Sequence, residues 1–398
     1  MTKRVAIPYQ DTELRIVGPV DNFFAHRVQR LDIPVNIPNT TINELGNSGR
    51  AGVVTDIPEV TATFQAFDVS HRIYSVLTGT DYEAYPGAGV DVVNLGFCDL
   101  IAYIKQADVA QHLKCIHVKY AQITDFNFTY SVDGESTEEY TVGGSEKRYL
   151  SNDVVVDSGV LDGSNEFELS ETPKQLRNGD YALSVIIAGD WLEEGPECSI
   201  AGTTVTVSGS YGDPADKTLV VYHSSTSTMA WSEISDGTVP AAIKGKNIPV
   251  YIFASDDTKE TQYRVQSVTI RGSFPNTPIK EMGNTSLVGY ITEPPDVTGD
   301  ISVLDVDNEV VALLTTGDKD GDAYEEYGVD QYDTRTLQLQ VEVKDPADNS
   351  TVLKTVTIPS MRITSDGTTT NVGGQLTQTF NFASDDSQCI VYSGNGPT

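Results

Sequence analysis

A stretch of about fifty residues occurs twice in this chain. With Arg27-Val-Gln laid on Arg264-Val-Gln, a constant offset of 237 carries Pro38-Asn39-Thr40 onto Pro275-Asn276-Thr277 and Ile42 onto Ile279. It also carries Glu44 onto Glu281, Gly46-Asn47 onto Gly283-Asn284, and Gly52 onto Gly289. Further on, Val60-Thr61 meets Val297-Thr298, Asp68-Val69 meets Asp305-Val306, and Thr78 meets Thr315. No gap is needed, and about 19 of the 52 aligned positions are identical. A repeat of that length means one structural unit used twice, and it constrains the fold before any local reading does.

Upstream the match continues with a one-residue slip, Leu14-Arg-Ile-Val lying over Val250-Tyr-Ile-Phe. Downstream it fades, although both copies go on as alternating strand-like runs, Ile116 to Tyr120 and Val352 to Ile358. The expected organisation is therefore copy one over residues 1–165, an extra β segment over 166–237, and copy two over 238–398. The extra segment, with Tyr181-Ala-Leu-Ser-Val-Ile-Ile, Thr203-Thr-Val-Thr-Val and Thr218-Leu-Val-Val-Tyr, reads either as a surface module or as strands completing the repeats.

Within the repeat, Val60-Thr-Ala-Thr-Phe-Gln-Ala-Phe alternates with period two, as a half-buried strand does, and Val297 to Leu304 does the same. A helix signature follows: Val69, Ile73, Val76 and Leu77 share one face, and Val306, Val310, Leu313 and Leu314 repeat the spacing. Asp68 and Asp305, or Ser70 and Asp307, suit the start of that helix, and Gly79 and Gly317 its end. A third helix is expected over Leu100 to Leu113, with Ile101, Ile104 and Ala107 on one side. The remainder is rich in Thr, Val, Ser and Gly, with hairpin signals such as Asp133-Gly, Asp162-Gly and Asp366-Gly. The fold class expected is mainly β: two tandem antiparallel sandwich or barrel-like domains, each with one short helix, plus the middle β segment.

Charge narrows the function. Asp and Glu number 57 against 26 Lys and Arg, a formal charge of −31. Such a balance argues against a nucleic-acid clamp, which needs a basic stripe. It fits general solubility, or a surface that repels DNA so that DNA passes without sticking. No apolar run reaches the roughly 20 residues that cross a bilayer, and the first residues carry no secretory signal pattern. Four cysteines in 398 residues point to reduced thiols rather than a disulfide scaffold.

Candidate chemistry is sparse. Cys98, His112, Cys115 and His117 are zinc-ligand residue types but lack finger spacing. Asp318-Lys-Asp-Gly-Asp opens like a calcium loop, yet its glycine is fourth and its flanks are not helical, so an acidic hairpin tip is the expectation. No nucleophile elbow, phosphate loop or HExxH helix occurs, so neither enzyme activity nor a cofactor is expected.

A unit duplicated in one chain can build a ring in which three chains supply six equivalent positions. Strands continuing from domain to domain would then remove exposed sheet edges. Loops Asn39 to Gly52 and Asn276 to Gly289 would grip the next ring.

The order Arg27-Val-Gln, a strand, Glu44-Leu-Gly, a glycine-bearing loop, the strand Val60 to Phe67 and the helix Asp68 to Gly79 resembles the tail tube (major tail) proteins of tailed phages and related archaeal viruses. Copy two repeats it, with Glu281-Met-Gly in place of Glu44-Leu-Gly. The resemblance covers roughly residues 1–150 and 240–398. It implies a structural virion protein whose rings stack into a tube that conducts the genome, here as homotrimers with pseudo-sixfold symmetry and an acidic lumen. Its implied partners are further copies of itself, the tape-measure, terminator and baseplate or tip proteins of the tail, and DNA in transit without specific binding. The implied location is the virion tail, assembled in the host cytoplasm, with no membrane partner. The alternative is a β-rich receptor-binding or baseplate protein, using exposed aromatics such as Trp191, Trp231 and the tyrosines of Tyr324 to Tyr332.

Overall fold

The chain is represented by a computed structural model that describes residues 12–43, 50–55, 57–67, 69, 71–77, 89–91, 96–105, 112–150, 153–175, 181, 183–187, 190–193, 197–208, 217–225, 243–254, 261–262, 264–280, 282, 289–304, 337–369 and 376–396. The architecture is mainly β, as the alternation and the turn chemistry require. In the first half, antiparallel strands neighbour one another in the order Asn22–Ala25, Thr12–Val17, Phe97–Lys105, His112–Ser131, Thr137–Leu150, Glu59–Ala66, and then Val28–Asp32 with Val35–Asn36. The second half has the same order: Thr261–Gln262, Val250–Ala254, Leu337–Lys344, Val352–Thr369, Thr377–Ser384, Asp296–Val303, Val265–Ser273.

The two halves also share register. Val28 faces Ala66 and Val265 faces Val303, each pair followed by a bulge on the first strand. The bulge is set by Arg27 and Arg264, which hold φ at 54° and 67°, a left-handed conformation that costs a non-glycine residue roughly 1 kcal/mol. In both halves that cost is offset locally. The carbonyl of Arg27 accepts from the Phe67 N–H (3.2 Å) and the Gln29 side chain (3.2 Å), and that of Arg264 from Leu304 (3.0 Å) and Gln266 (3.1 Å). Arg-Val-Gln is therefore a bulge motif, which explains why all three residues recur.

Past the expected helix the structural equivalence continues at a new offset of 240. Phe126 faces Tyr140 as Asp366 faces Phe380, and the bulge between Ile123 and Asp125 recurs between Ile363 and Ser365. The sequence match fades here because alternate positions change polarity: Phe126 and Phe128 are buried, and their counterparts Asp366 and Thr368 are exposed.

The helix His71–Leu77 forms where the stripe places it, with Val69, Ile73, Val76 and Leu77 all buried. Tyr74 on its inner face meets Phe126 and Phe128 edge-on, at 6.3 and 6.2 Å between centroids. Val306, Val310, Leu313 and Leu314 lie outside the described residues, as do Asp68, Ser70 and the Asp318 to Asp322 segment. The third helix is not formed over the described residues of its segment. Phe97–Lys105 and the start of His112–Ser131 are strands, and residues 106–111 are not described. Cys98 to Tyr103 is buried on both faces, and such a strand gives a continuous apolar run that periodicity cannot tell from a helix.

The second face of that strand is covered by a small β unit. Its four-stranded sheet, in the order Val154–Gly159, Thr218–His223, Leu183–Ile187, Asp190–Glu193, pairs only within itself among the described strands. One side packs Val155, Val185 and Val220 over a three-stranded sheet (Glu166–Glu168, Thr204–Val207, Cys198–Ala201). The other side packs Val154, Val156, Ile186, Leu219 and Val221 onto Val17, Ile101, Tyr103 and Cys115 of the first half. The hydroxyl of Tyr103 donates to the carbonyl of Val154 at 2.6 Å and fixes the depth of docking. No helix among the described residues is long and apolar enough to cross a membrane.

Candidate functional site: the seam between the halves

The two halves meet along a seam in which each contributes a different surface. The first half offers the end of its long strand, residues 125–131. The second offers Val265–Ser273, in a ladder running from Asp125 opposite Ser273 to Ser131 opposite Ser267. Main-chain bonds extend it at both ends: Phe274 N–H to the Thr124 carbonyl (2.7 Å) and Val132 N–H to the Gln266 carbonyl (2.9 Å). Higher up, Gly89–Asp91 of the first half pairs with Ile390–Ser393 of the second. The sheet therefore passes from one half into the other without an edge.

Packing across the seam is close. Gly272 stands opposite Phe126, and a Cβ built on it would fall 2.2 Å from the Phe126 ring. Ile270 and Val268 are buried beside Phe128 and Tyr130. At the centre the ammonium of Lys354, from the second half, is ion-paired with the carboxylate of Glu138, from the first, both side chains being fully buried. Glu138 also accepts from the hydroxyls of Tyr140 (2.6 Å) and Tyr130 (3.4 Å), and Lys354 lies 4.3 Å from the centroid of Phe128. Burial, and then the Glu138 charge, hold both tyrosine hydroxyls well above their ordinary pKa, so they remain donors.

Each half also carries the surface that the other uses, and the described residues leave it open. Val28–Asp32 and Val35–Asn36, the counterparts of Val265–Ser273, pair only with Glu59–Ala66 among the described residues. Pro34, which has no N–H, separates them. Val35 and Ile37 are 38% and 50% exposed. Tyr149 occupies the place of Val391; it is 65% exposed where Val391 is buried. At the opposite flank, residues 365–369 pair only with Thr377–Ser384 among the described residues, and all five are exposed.

The loop residues singled out in the sequence form two matched hairpins. Asn39 pairs with Thr55 and Ile42 with Gly52; Asn276 pairs with Thr292 and Ile279 with Gly289. Thr40 and Thr277 lie in the first strand of each, whereas Glu44, Gly46, Asn47, Glu281, Gly283 and Asn284 fall outside the described residues. The base of the second hairpin lies against the first half. The Asn276 amide donates to the Ile123 carbonyl (3.3 Å), and Lys280 is 3.5 Å from Glu59. Burial, with the Glu59 charge, pushes the Tyr290 hydroxyl up to about 12.

The zinc-type residues do not converge. His117 bonds Asp99 (3.0 Å) through one ring nitrogen and His223 of the added unit (3.2 Å) through the other, Cys115 points at Asp153 (3.6 Å), and Cys98 is buried; His112 lies in a strand. No group of three or more metal-type ligands forms among the described residues. Sequence reading missed this Asp99–His117–His223 relay because its members come from three strands. Trp191 packs edge-on against Tyr120 at 5.8 Å, inside the docking face of the added unit; Trp231 and Tyr324 to Tyr332 are not described.

No family model matches the chain, and no curated protein does. Among solved structures it is similar to a chain of the tail of an empty gene transfer agent particle with C6 symmetry, at 13% identity and a TM-score of 0.26 over 36% of this chain and 96% of that one. A chain of the native gene transfer agent virion gives 14% identity and 0.25, over 38% and 98%. A chain of the sixfold-symmetrised baseplate of the anti-feeding prophage gives 9% and 0.27, over 38% and 97%.

Proposed function

We propose that this chain is a structural virion protein of the tail-tube type, whose copies join head to tail into trimeric, pseudo-hexameric rings that stack into a conduit for the viral genome. The observation that carries this reading is the asymmetry of the seam. A heterologous contact leaves one unused surface on each flank, and repeating the same contact between chains uses both. An open antiparallel edge bearing Val35, Ile37 and Tyr149 is the kind of surface that proteins cover by pairing it. With two seats per chain, three chains complete a six-seat ring. The resemblance of both copies to tail tube proteins supports the same assembly.

In such a ring the excess of carboxylates acts by repulsion. A wall of like sign keeps DNA from making contacts strong enough to trap it. The hairpins that begin at Asn39 and Asn276 would reach adjoining rings or, as Lys280 and Glu59 do within the chain, neighbouring seats. Tape-measure, terminator and baseplate proteins would be the other partners.

Negative-stain microscopy of the purified full chain over a range of salt tests the reading. Stacked rings are expected, most readily at the salt that screens the −31 charge. A chain that stays monomeric at every salt and pH contradicts it.

A further inference from the structure

This inference rests on the head-to-tail reading and concerns what fills the seam between chains. Within the chain the seam is centred on Lys354 and Glu138. The residue in the place of Lys354 in the first half is Lys114, since Lys354 faces Val343 as Lys114 faces Ile104. The residue in the place of Glu138 in the second half is Gln378, since Glu138 faces Ala66 as Gln378 faces Val303. The lysine is kept and the carboxylate is replaced by an amide. The supporting groups change too: Phe380 stands where Tyr140 supplies a hydroxyl, and Thr368 where Phe128 supplies a ring face. Lys114 and Gln378 are half-buried, as groups on uncovered flanks are, whereas Lys354 and Glu138 are fully buried.

We infer that Lys114 of one chain docks against Gln378 of the next, in the seat where Lys354 holds Glu138, so that a ring contains two chemically unequal seams. The register follows from the ladder within the chain: Asn36 lies opposite Ser365 of the next chain, Val35 opposite Asp366, and Ile33 opposite Thr368. The unequal partners have a consequence. An ammonium buried against a carboxylate gains a charge-assisted bond, whereas one buried against an amide keeps its desolvation cost with a weaker return. The seam between chains is then the weaker of the two and the place where a ring opens. The occupant is a second copy of this chain because the covered seam within the chain is the template for the uncovered one.

The substitution Gln378→Glu in the full chain makes the inter-chain seam resemble the internal one. It should lower the concentration at which assemblies dissociate by about tenfold, and adding Lys114→Met should erase that gain. A second measurement does not depend on stability: Lys114→Cys with Gln378→Cys should be linked between chains by a short bis-maleimide, whose two arms add to one thiol each, because the four native cysteines are buried. If the wild-type chain assembles but Gln378→Glu leaves dissociation unchanged or raises it, or the cysteine pair links no chains, the Lys114–Gln378 contact is wrong and the head-to-tail reading stands. If the wild-type chain never leaves the monomer, both fall.

Discussion

Lys354 and Glu138 stand 216 residues apart in the sequence, and their side chains meet in an ion pair that water does not reach. The pair ties the strand Val352–Thr369 of the second half to the strand Thr137–Leu150 of the first, beside the ladder that joins the two sheets. Breaking such a pair on one side leaves an uncompensated charge in the core.

Lys354→Met and Glu138→Leu should each therefore destabilise the chain by about 3–5 kcal/mol. The double substitution should recover most of that loss, because both charges then leave together. Urea midpoints of the three variants check this. A double variant as unstable as the sum of the singles would mean that the two residues do not share one site.

Gly272 tests the packing of the same seam. Its counterpart on the open flank is Val35, which faces Val60 as Gly272 faces Val297, yet at Gly272 a Cβ would press to 2.2 Å of the Phe126 ring. Gly272→Val should cost about 1–3 kcal/mol and raise amide exchange in residues 125–131, while Val35→Gly should leave exchange there unchanged. Equal effects from the two substitutions would count against an internal seam built around Phe126.

Docking of the added unit should depend on pH. Burial, with the neighbouring His117, Arg148, Lys119 and Lys174 charges, lowers the pKa of His223 to about 2. Unfolding frees it to bind a proton below about 6.5. Its contribution is therefore complete above pH 6.5 and is lost as pH falls towards 2, at up to about 1.4 kcal/mol per pH unit. Urea midpoints at pH 7 and pH 5 should differ by more in the wild type than in His223→Gln. Equal pH dependence in both would remove His223 from the account.

All four thiols are buried. Burial pushes Cys115 up to about 12 and Cys98 higher still. Iodoacetamide at pH 8 should label none of them until the chain unfolds, so labelling should follow the unfolding rate. Rapid labelling of native protein would contradict the burial of at least one.

The sequence shows the β class, the doubled unit and the helix face of Val69, Ile73, Val76 and Leu77, because identity survives where the same side of a strand is buried in both halves, and the helical period where one face of the first-half helix is buried. It does not show the seam. One of the two strands that build it, residues 125–131, lies past the point where the offset moves from 237 to 240, and there Phe126 and Phe128 give way to Asp366 and Thr368. That change of polarity is itself the trace of the seam, since one half buries its edge inside the chain and the other keeps it at the flank. Nor does any local pattern pair Lys354 with Glu138 or His117 with His223; those partners meet only through tertiary packing. The strand Phe97–Lys105 reads as part of a helix for a related reason, a strand covered on both faces having no period to display.

Whether the two halves occupy equivalent seats around one axis is tested most directly by the number of chains per ring. Native mass spectrometry of the assembled protein, paired with a cryo-EM reconstruction, should give three chains per ring and threefold symmetry close to sixfold, with Val35–Asn36 of each chain beside residues 365–369 of the next. A ring of six chains, or one closed through edges other than these, would contradict it.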